Sequence, residues 1–211
     1  MSIAELEEIR RSQILLAALT VMSRKGSFDA TMDDIATAAG LSKGGLAHYY
    51  KSKNELFIAA FREFFARVFE RCRESMAKAP GPLEKLLAFD LLFDPQEPYV
   101  PLGYPILFDC MAKAAHDADY GRVFGEWVEG WIALLSEALR LGVEQGLFRP
   151  LDPDPIARAV SAIYQGVATR WFLAPARHSR DWAVNAVKEA ITRLMEPYIL
   201  RPQLEDATTK P

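Results

Sequence analysis

The stretch Thr31-Met32-Asp33-Asp34-Ile35-Ala36-Thr37-Ala38-Ala39-Gly40-Leu41-Ser42-Lys43-Gly44-Gly45-Leu46-Ala47-His48-Tyr49-Tyr50-Lys51-Ser52-Lys53-Asn54-Glu55 holds three helix starts in succession. Thr31 opens a Thr-x-x-Asp cap, with acids in the first turn where the helix dipole favours them. Gly40 limits that helix to about two turns. Ser42 then caps the segment Lys43 to Tyr50, and Ser52-Lys53-Asn54-Glu55 reads as a full capping box opening a long helix. Two short helices joined by a tight glycine turn, behind a longer supporting helix, form a helix-turn-helix. Ile35, Ala38, Ala39, Leu41 and Leu46 supply the small and apolar residues that two steeply crossed helices need.

The second short helix has the residues of a DNA contact. Ser42 and Lys43 lie at its N-terminus, where free backbone N–H groups and the dipole attract phosphate. Gly44 and Gly45 each cost roughly 1 kcal/mol of helix stability against alanine. They remove bulk where backbone must approach a groove. His48 and Tyr49 follow one turn on and can donate to phosphate, and Lys53 adds a charge at the next helix start. The competing reading is a plain helical hairpin with solvated caps. Spacing, caps and glycines together favour DNA.

Composition at first opposes this. The 211 residues carry a formal net charge of -3, whereas a DNA-binding domain is usually basic. The sum conceals the distribution. From Arg10 to Lys53 the basic residues are Arg10, Arg11, Arg24, Lys25, Lys43, Lys51 and Lys53, against Asp29, Asp33 and Asp34, a local net of +4. Hydrophobic residues at 50% and charged residues at 25% exclude wholesale disorder. No apolar run approaches the roughly 18 residues of a membrane span, and the acidic N-terminus is unlike a signal peptide. Cys72 and Cys110 alone exclude a disulfide framework or a four-cysteine zinc site, and read as reduced core thiols of a cytoplasmic protein.

Apolar periodicity is helical almost throughout, so the chain reads as all-α with about nine helices. A first helix carries Ile14, Leu15, Ala18, Leu19 and Met22, and Gly26 is expected to stop it as a left-handed terminal residue. The long helix from about Lys53 carries Phe57, Phe61, Phe64, Phe65, Val68, Cys72 and Met76, and ends at Pro80-Gly81-Pro82. The stretch from Asp94 to Pro105, with four prolines, reads as a loop or broken element. A later helix holds Phe124, Trp127, Val128, Trp131, Leu134, Leu135 and Ala138, closing near Gly142 to Gly146. Another is expected to start with Asp154 as N-cap and Pro155 in its first turn. A last helix runs to Pro197, and the polar tail from Pro202 reads as disordered.

The segment from Thr31 to Leu56 resembles the DNA-binding signature of the TetR/AcrR family of transcriptional regulators. With the first helix it covers about a quarter of the chain. The resemblance implies that Thr31, Ser42, Lys43, Gly44, His48, Tyr49 and Lys53 meet operator backbone or base edges. Ala47 stands where a larger residue, often tyrosine, is common, and Tyr50 where phenylalanine is usual. Ala47 is the departure that bears on which bases are read. The resemblance further implies a DNA-binding domain over 1–53 and a helical domain over 54–201. The latter binds a small molecule and dimerises through its last two long helices. The function implied is a repressor that binds a palindromic double-stranded operator as a homodimer and is released by an effector.

Within 54–201 the sequence speaks less specifically. Ala159, Ala162 and Gly166 form a small-residue stripe that suits close helix approach across a dimer, with Ile191 and Leu194 from the last helix. Candidate effector-lining residues are Phe65, Phe69, Phe93, Phe108, Trp127, Trp131 and Tyr164. Asp109, Gln165 and Arg170 are the polar groups set among them. For any one aromatic, core packing is the stronger reading. The mostly apolar set implies a hydrophobic effector and no cofactor.

Readings from other classes fare worse. Gly40-Leu41-Ser42-Lys43-Gly44 matches the G-x-S-x-G nucleophile elbow, but that elbow needs a preceding strand, and the sequence shows no strand signal. A metal at Asp109, His116, Asp117 and Asp119 fails on spacing, because two helical turns separate Asp109 and His116 by roughly 10 Å. A helical scaffold for protein partners explains neither the glycines nor the local +4. The chain therefore reads as a regulator and not an enzyme.

Overall fold

The structure, a computed structural model, describes residues 2–200. The polar tail expected to be disordered lies outside the described residues. Nine α-helices appear among them: α1 (Ile3–Asp29), α2 (Met32–Ala38), α3 (Lys43–Tyr49), α4 (Lys53–Lys78), α5 (Pro82–Leu86), α6 (Tyr99–Ala114), α7 (Ala118–Glu144), α8 (Pro153–Leu173) and α9 (Arg180–Met195). A 3-10 turn spans Asp90–Phe93. Among the described residues, extended pairing is confined to one antiparallel bridge between Phe148 and Ile199. The all-α expectation is met.

The chain forms two compact units. The first comprises 2–74 and 91–130, and contains the whole of the helix-turn-helix. Ile14, Ala18 and Met22 of α1, Ile35 of α2, Leu46 of α3 and Leu56, Phe57 and Phe61 of α4 are all at most 1% exposed. This small core fixes α2 and α3 against α1. Farther along α4, Phe64, Phe65, Val68 and Cys72 are buried, as are Val100, Tyr104, Ile106 and Cys110 of α6 and Tyr120, Val123 and Trp127 of α7. The second unit comprises 75–90 and 131–200. Its core holds Leu86, Phe89, Leu134, Leu135, Phe148, Val160, Tyr164, Val187, Ile191 and Met195, and α8 packs on α9.

Four local expectations need correction. The proline-rich stretch is helical from Tyr99, because Pro101 falls in the first turn of α6, where an absent N–H breaks no helical bond. Pro105 lies inside α6 and removes one bond from its ladder. The cap of α8 is Asp152, whose carboxylate accepts from the Asp154 N–H at 3.2 Å, with Pro153 at the first position. Gly26 does adopt positive φ, but with extended ψ (φ 78°, ψ 154°), and Ser27 to Asp29 add one further helical turn beyond it. At the start of α4, Ser52 Oγ accepts from the Glu55 N–H at 3.1 Å, but Glu55 reaches back to the Lys51 N–H at 2.8 Å. The box is displaced by one residue on its return side.

Candidate nucleic-acid interface

Caps and a glycine turn build the interface. Thr31 Oγ1 accepts from the Asp34 N–H at 3.1 Å, and Asp34 Oδ2 accepts from both the Thr31 N–H and the Thr31 hydroxyl. This reciprocal box starts α2. Gly40 carries φ 65°, where a side chain would be strained, and ends it. Ser42 Oγ accepts from the Gly45 N–H at 3.1 Å and starts α3. Each hydroxyl cap contributes about 1 kcal/mol. Ser42 is thereby occupied as a helix cap between two short helices, which accounts for the G-x-S-x-G spacing.

The outward face of α3 is open. Ser42, Lys43, Gly44, Ala47 and His48 are all exposed, with Lys51 just beyond the helix. A Cβ at Gly44 would meet nothing within 4 Å, so backbone is bare on this face. Gly45 is half-buried, and a Cβ there would lie 3.3 Å from Ser42 Oγ and 3.8 Å from Leu41, so the turn also needs its missing side chain. Lys43 makes only a solvent-exposed pair with Asp33 at 3.2 Å, which a phosphate can displace.

Three expected DNA contacts are partly spoken for within the protein. The Thr31 hydroxyl is held by Asp34. Tyr49 is half-buried and meets the His48 ring edge-on at 5.3 Å. The Lys53 ammonium donates to the Phe28 carbonyl at 2.9 Å and lies 5.2 Å from the centre of the Phe57 ring. Burial, then the nearby Lys113 charge, lowers the Lys53 pKa. Tyr50 is 5% exposed, so its ring does pack as the family position requires. Sequence reasoning missed Arg11 as a participant. Its guanidinium sits 5.5 Å from the centre of the Tyr49 ring and 5.9 Å from that of Tyr50, bracing the end of α3 from α1. Its only prior signal was membership of the local basic run.

The effector candidates fall into separate groups. In the first unit, the Trp127 ring lies tilted against Phe65 at 4.4 Å and Phe69 at 4.9 Å, while Phe93 is fully buried in the 3-10 turn and the Phe108 ring lies 6.1 Å from that of Tyr104. One oxygen of Asp109 has a partner inside the protein: its Oδ2 accepts from the Ser27 N–H at 2.5 Å. In the second unit, Trp131 stacks with Tyr164 at 6.3 Å, and both meet Phe89 edge-on. Tyr164 donates its hydroxyl to the Leu86 carbonyl at 2.9 Å. Arg170 is exposed and donates to the Gly166 carbonyl of its own helix at 3.0 Å, and Gln165 is half-buried on α8. Of the expected dimer residues, Ala159, Ala162, Gly166 and Leu194 retain exposure, whereas Ile191 is wholly buried within its own unit.

A capped helix-turn-helix that presents lysine, histidine and bare backbone on its second helix defines a DNA-binding transcriptional regulator. Comparison with known proteins agrees. Residues 14–60 match the family described as bacterial regulatory proteins, tetR family, and residues 104–196 match the C-terminal part of the BetI-type transcriptional repressor. The HTH-type transcriptional repressor KstR2 of Mycolicibacterium smegmatis is 31% identical over 169 residues, covering 77% of this chain and 79% of that protein. The HTH-type transcriptional regulator BetI of Agrobacterium fabrum is 26% identical over 168 residues, 78% of each. The crystal structure of a TetR family transcriptional regulator from Cytophaga hutchinsonii superposes with a TM-score of 0.78 at 22% identity, covering 90% of this chain and 95% of that one. The chain belongs to the TetR family of transcriptional regulators. Among the described residues, no helix is long and apolar enough to cross a membrane.

Proposed function

We propose that the protein is a ligand-responsive repressor that binds a palindromic operator as a homodimer, reading DNA with 1–53 and sensing and pairing through 54–201. The observation that carries the DNA reading is the outward face of α3, where Lys43, Gly44 and His48 are exposed between the Ser42 and Ser52 caps. The names of the relatives KstR2 and BetI's C-terminal type support repression in place of activation.

Pairing through α8 and α9 rests on exposed small and apolar groups. Ala162 is exposed, Ala159, Gly166 and Leu194 are half-buried, and Leu173 is 62% exposed. A two-fold pair presents two α3 helices to two half-sites. The effector is a small, mainly hydrophobic molecule. It shifts the equilibrium only by binding the released state better than the DNA-bound one.

The test is a mobility shift with a palindromic fragment of the protein's own promoter across a salt series. Affinity falls steeply with salt, and each lost phosphate contact lowers the slope by about 1. The Lys43→Ala/His48→Ala double variant loses specific binding while remaining a folded dimer. Equal binding by the double variant would overturn the assignment of α3.

A further inference from the structure

We propose that Asp109 is a positioning residue for operator binding, which holds from α6 the short turn through which α1 delivers the helix-turn-helix. This rests on the DNA-binding reading above.

Helix α1 is interrupted at Gly26. Its φ of 78° and ψ of 154° break the helical ladder of α1. Ser27, Phe28 and Asp29 then make a new turn, closed by the Ala30 N–H donating to the Gly26 carbonyl at 3.1 Å. A new helical start leaves N–H groups with no partner inside the helix. The Ser27 N–H finds one 82 residues away, on Asp109 Oδ2, at 2.5 Å. Asp109 thus serves as a cap supplied by a neighbouring helix, in a charge-assisted bond. Ser27 itself is fully buried and its hydroxyl has no hydrogen-bond partner, so the hold on this residue falls to its backbone.

Two further contacts converge on the same three residues. One turn along α6, Lys113 Nζ lies 4.7 Å from the centre of the Phe28 ring. From the start of α4, the Lys53 ammonium donates to the Phe28 carbonyl at 2.9 Å. Immediately beyond, Ala30 is fully buried and Thr31 caps α2. The direction in which α2 leaves α1 is therefore set where Asp109, Lys113 and Lys53 meet the turn. All of these residues belong to the first compact unit. An operator offers two half-sites at fixed spacing, so a loosened turn in each protomer must be re-ordered on binding.

The experiment compares the full-length parent, Asp109→Ala, Asp109→Asn and Lys43→Ala on one palindromic promoter fragment across a salt series, with amide hydrogen exchange on the free proteins. Asp109→Ala is expected to weaken binding about tenfold, through a lost cap in each protomer of one complex, with an unchanged salt slope. Its Ser27, Phe28 and Asp29 amides exchange faster than in the parent. Asp109→Asn keeps an acceptor at the same reach and recovers most of the affinity, and it carries the test if the alanine variant does not fold. The proposal is overturned if Asp109→Ala binds within twofold of the parent. It is equally overturned if the variant's salt slope drops as in Lys43→Ala, if asparagine is no better than alanine, or if the turn amides are unmoved. If the parent itself shifts no fragment, the DNA-binding reading fails, and the exchange data still decide the cap.

Discussion

Lys25 near the end of α1 and Asp34 in the first turn of α2 meet at 2.7 Å, tying the helix-turn-helix to its supporting helix. The Lys25 ammonium, followed by the Thr31 hydroxyl and N–H, holds the Asp34 carboxyl at about 2, against an ordinary 3.8. A carboxyl whose folded pKa is depressed adds stability above its unfolded pKa and loses it as pH falls through the folded one. The contribution is therefore complete at neutral pH and fades between 3.8 and about 2. Replacing Lys25 by methionine removes the largest cause and should move the Asp34 titration up toward 3.8. A carboxyl-carbon NMR titration of parent and variant checks this. An Asp34 titration that does not move would show that Thr31 alone sets it.

The two thiols give a second expectation. Cys72 and Cys110 are fully buried, and burial pushes both pKa values up to about 12. The thiolate is the reactive species, so both should be inert in the native state. With a chromogenic disulfide reagent at pH 8, labelling should be slow and should track unfolding as urea is added. Rapid labelling of either thiol without denaturant would contradict the packing of α4 or α6.

Much of this was legible in the sequence because it depends on neighbours along the chain. Thr31 and Asp34, Ser42 and Gly45, and Gly40 at φ 65° are local geometry, and their residue types announce it. The errors are of two kinds. At Asp152-Pro153-Asp154-Pro155, two equivalent Asp-Pro pairs offer the same cap one after the other, and only packing selects the first. At 94–105 the density of prolines concealed that Pro101 falls in a first turn, where it costs no bond. What lay beyond reading was long-range. Nothing near Asp109 in sequence announces that its Oδ2 accepts from the Ser27 N–H, 82 residues away. Gly45 and Lys53 look outward-facing by type, yet the fold turns one to Ser42 and the other to Phe28.

Ser27 supports a prediction of opposite sign from most buried substitutions. Its hydroxyl is buried without a hydrogen-bond partner. An unsatisfied buried hydroxyl costs about 1–3 kcal/mol in desolvation, whereas alanine at this site loses only one small atom. The bond to Asp109 comes from the backbone and survives. Ser27→Ala should therefore match the parent in urea unfolding or exceed it by up to about 1 kcal/mol. A loss of stability greater than that would mean the hydroxyl is satisfied in solution.

Gly103 and Phe64 provide a pairwise test of how closely α6 approaches α4. Gly103 is buried inside α6, and a Cβ built there would run into the Phe64 ring. Two effects of substitution compete. Alanine in place of a mid-helix glycine gains about 1 kcal/mol in propensity. Against this, overpacking a filled core costs typically about 1–3 kcal/mol, and the Phe64 ring, itself 5% exposed, has little room to retreat. Crowding should win, so Gly103→Ala is expected to destabilise by about 1–2 kcal/mol net. Phe64→Leu alone opens a void and also destabilises. In the double variant the new methyl occupies part of that void, so the two losses should combine to less than their sum by about 1 kcal/mol. Urea unfolding of the four proteins of this cycle measures the coupling. Strictly additive losses would show that the ring and the glycine do not touch.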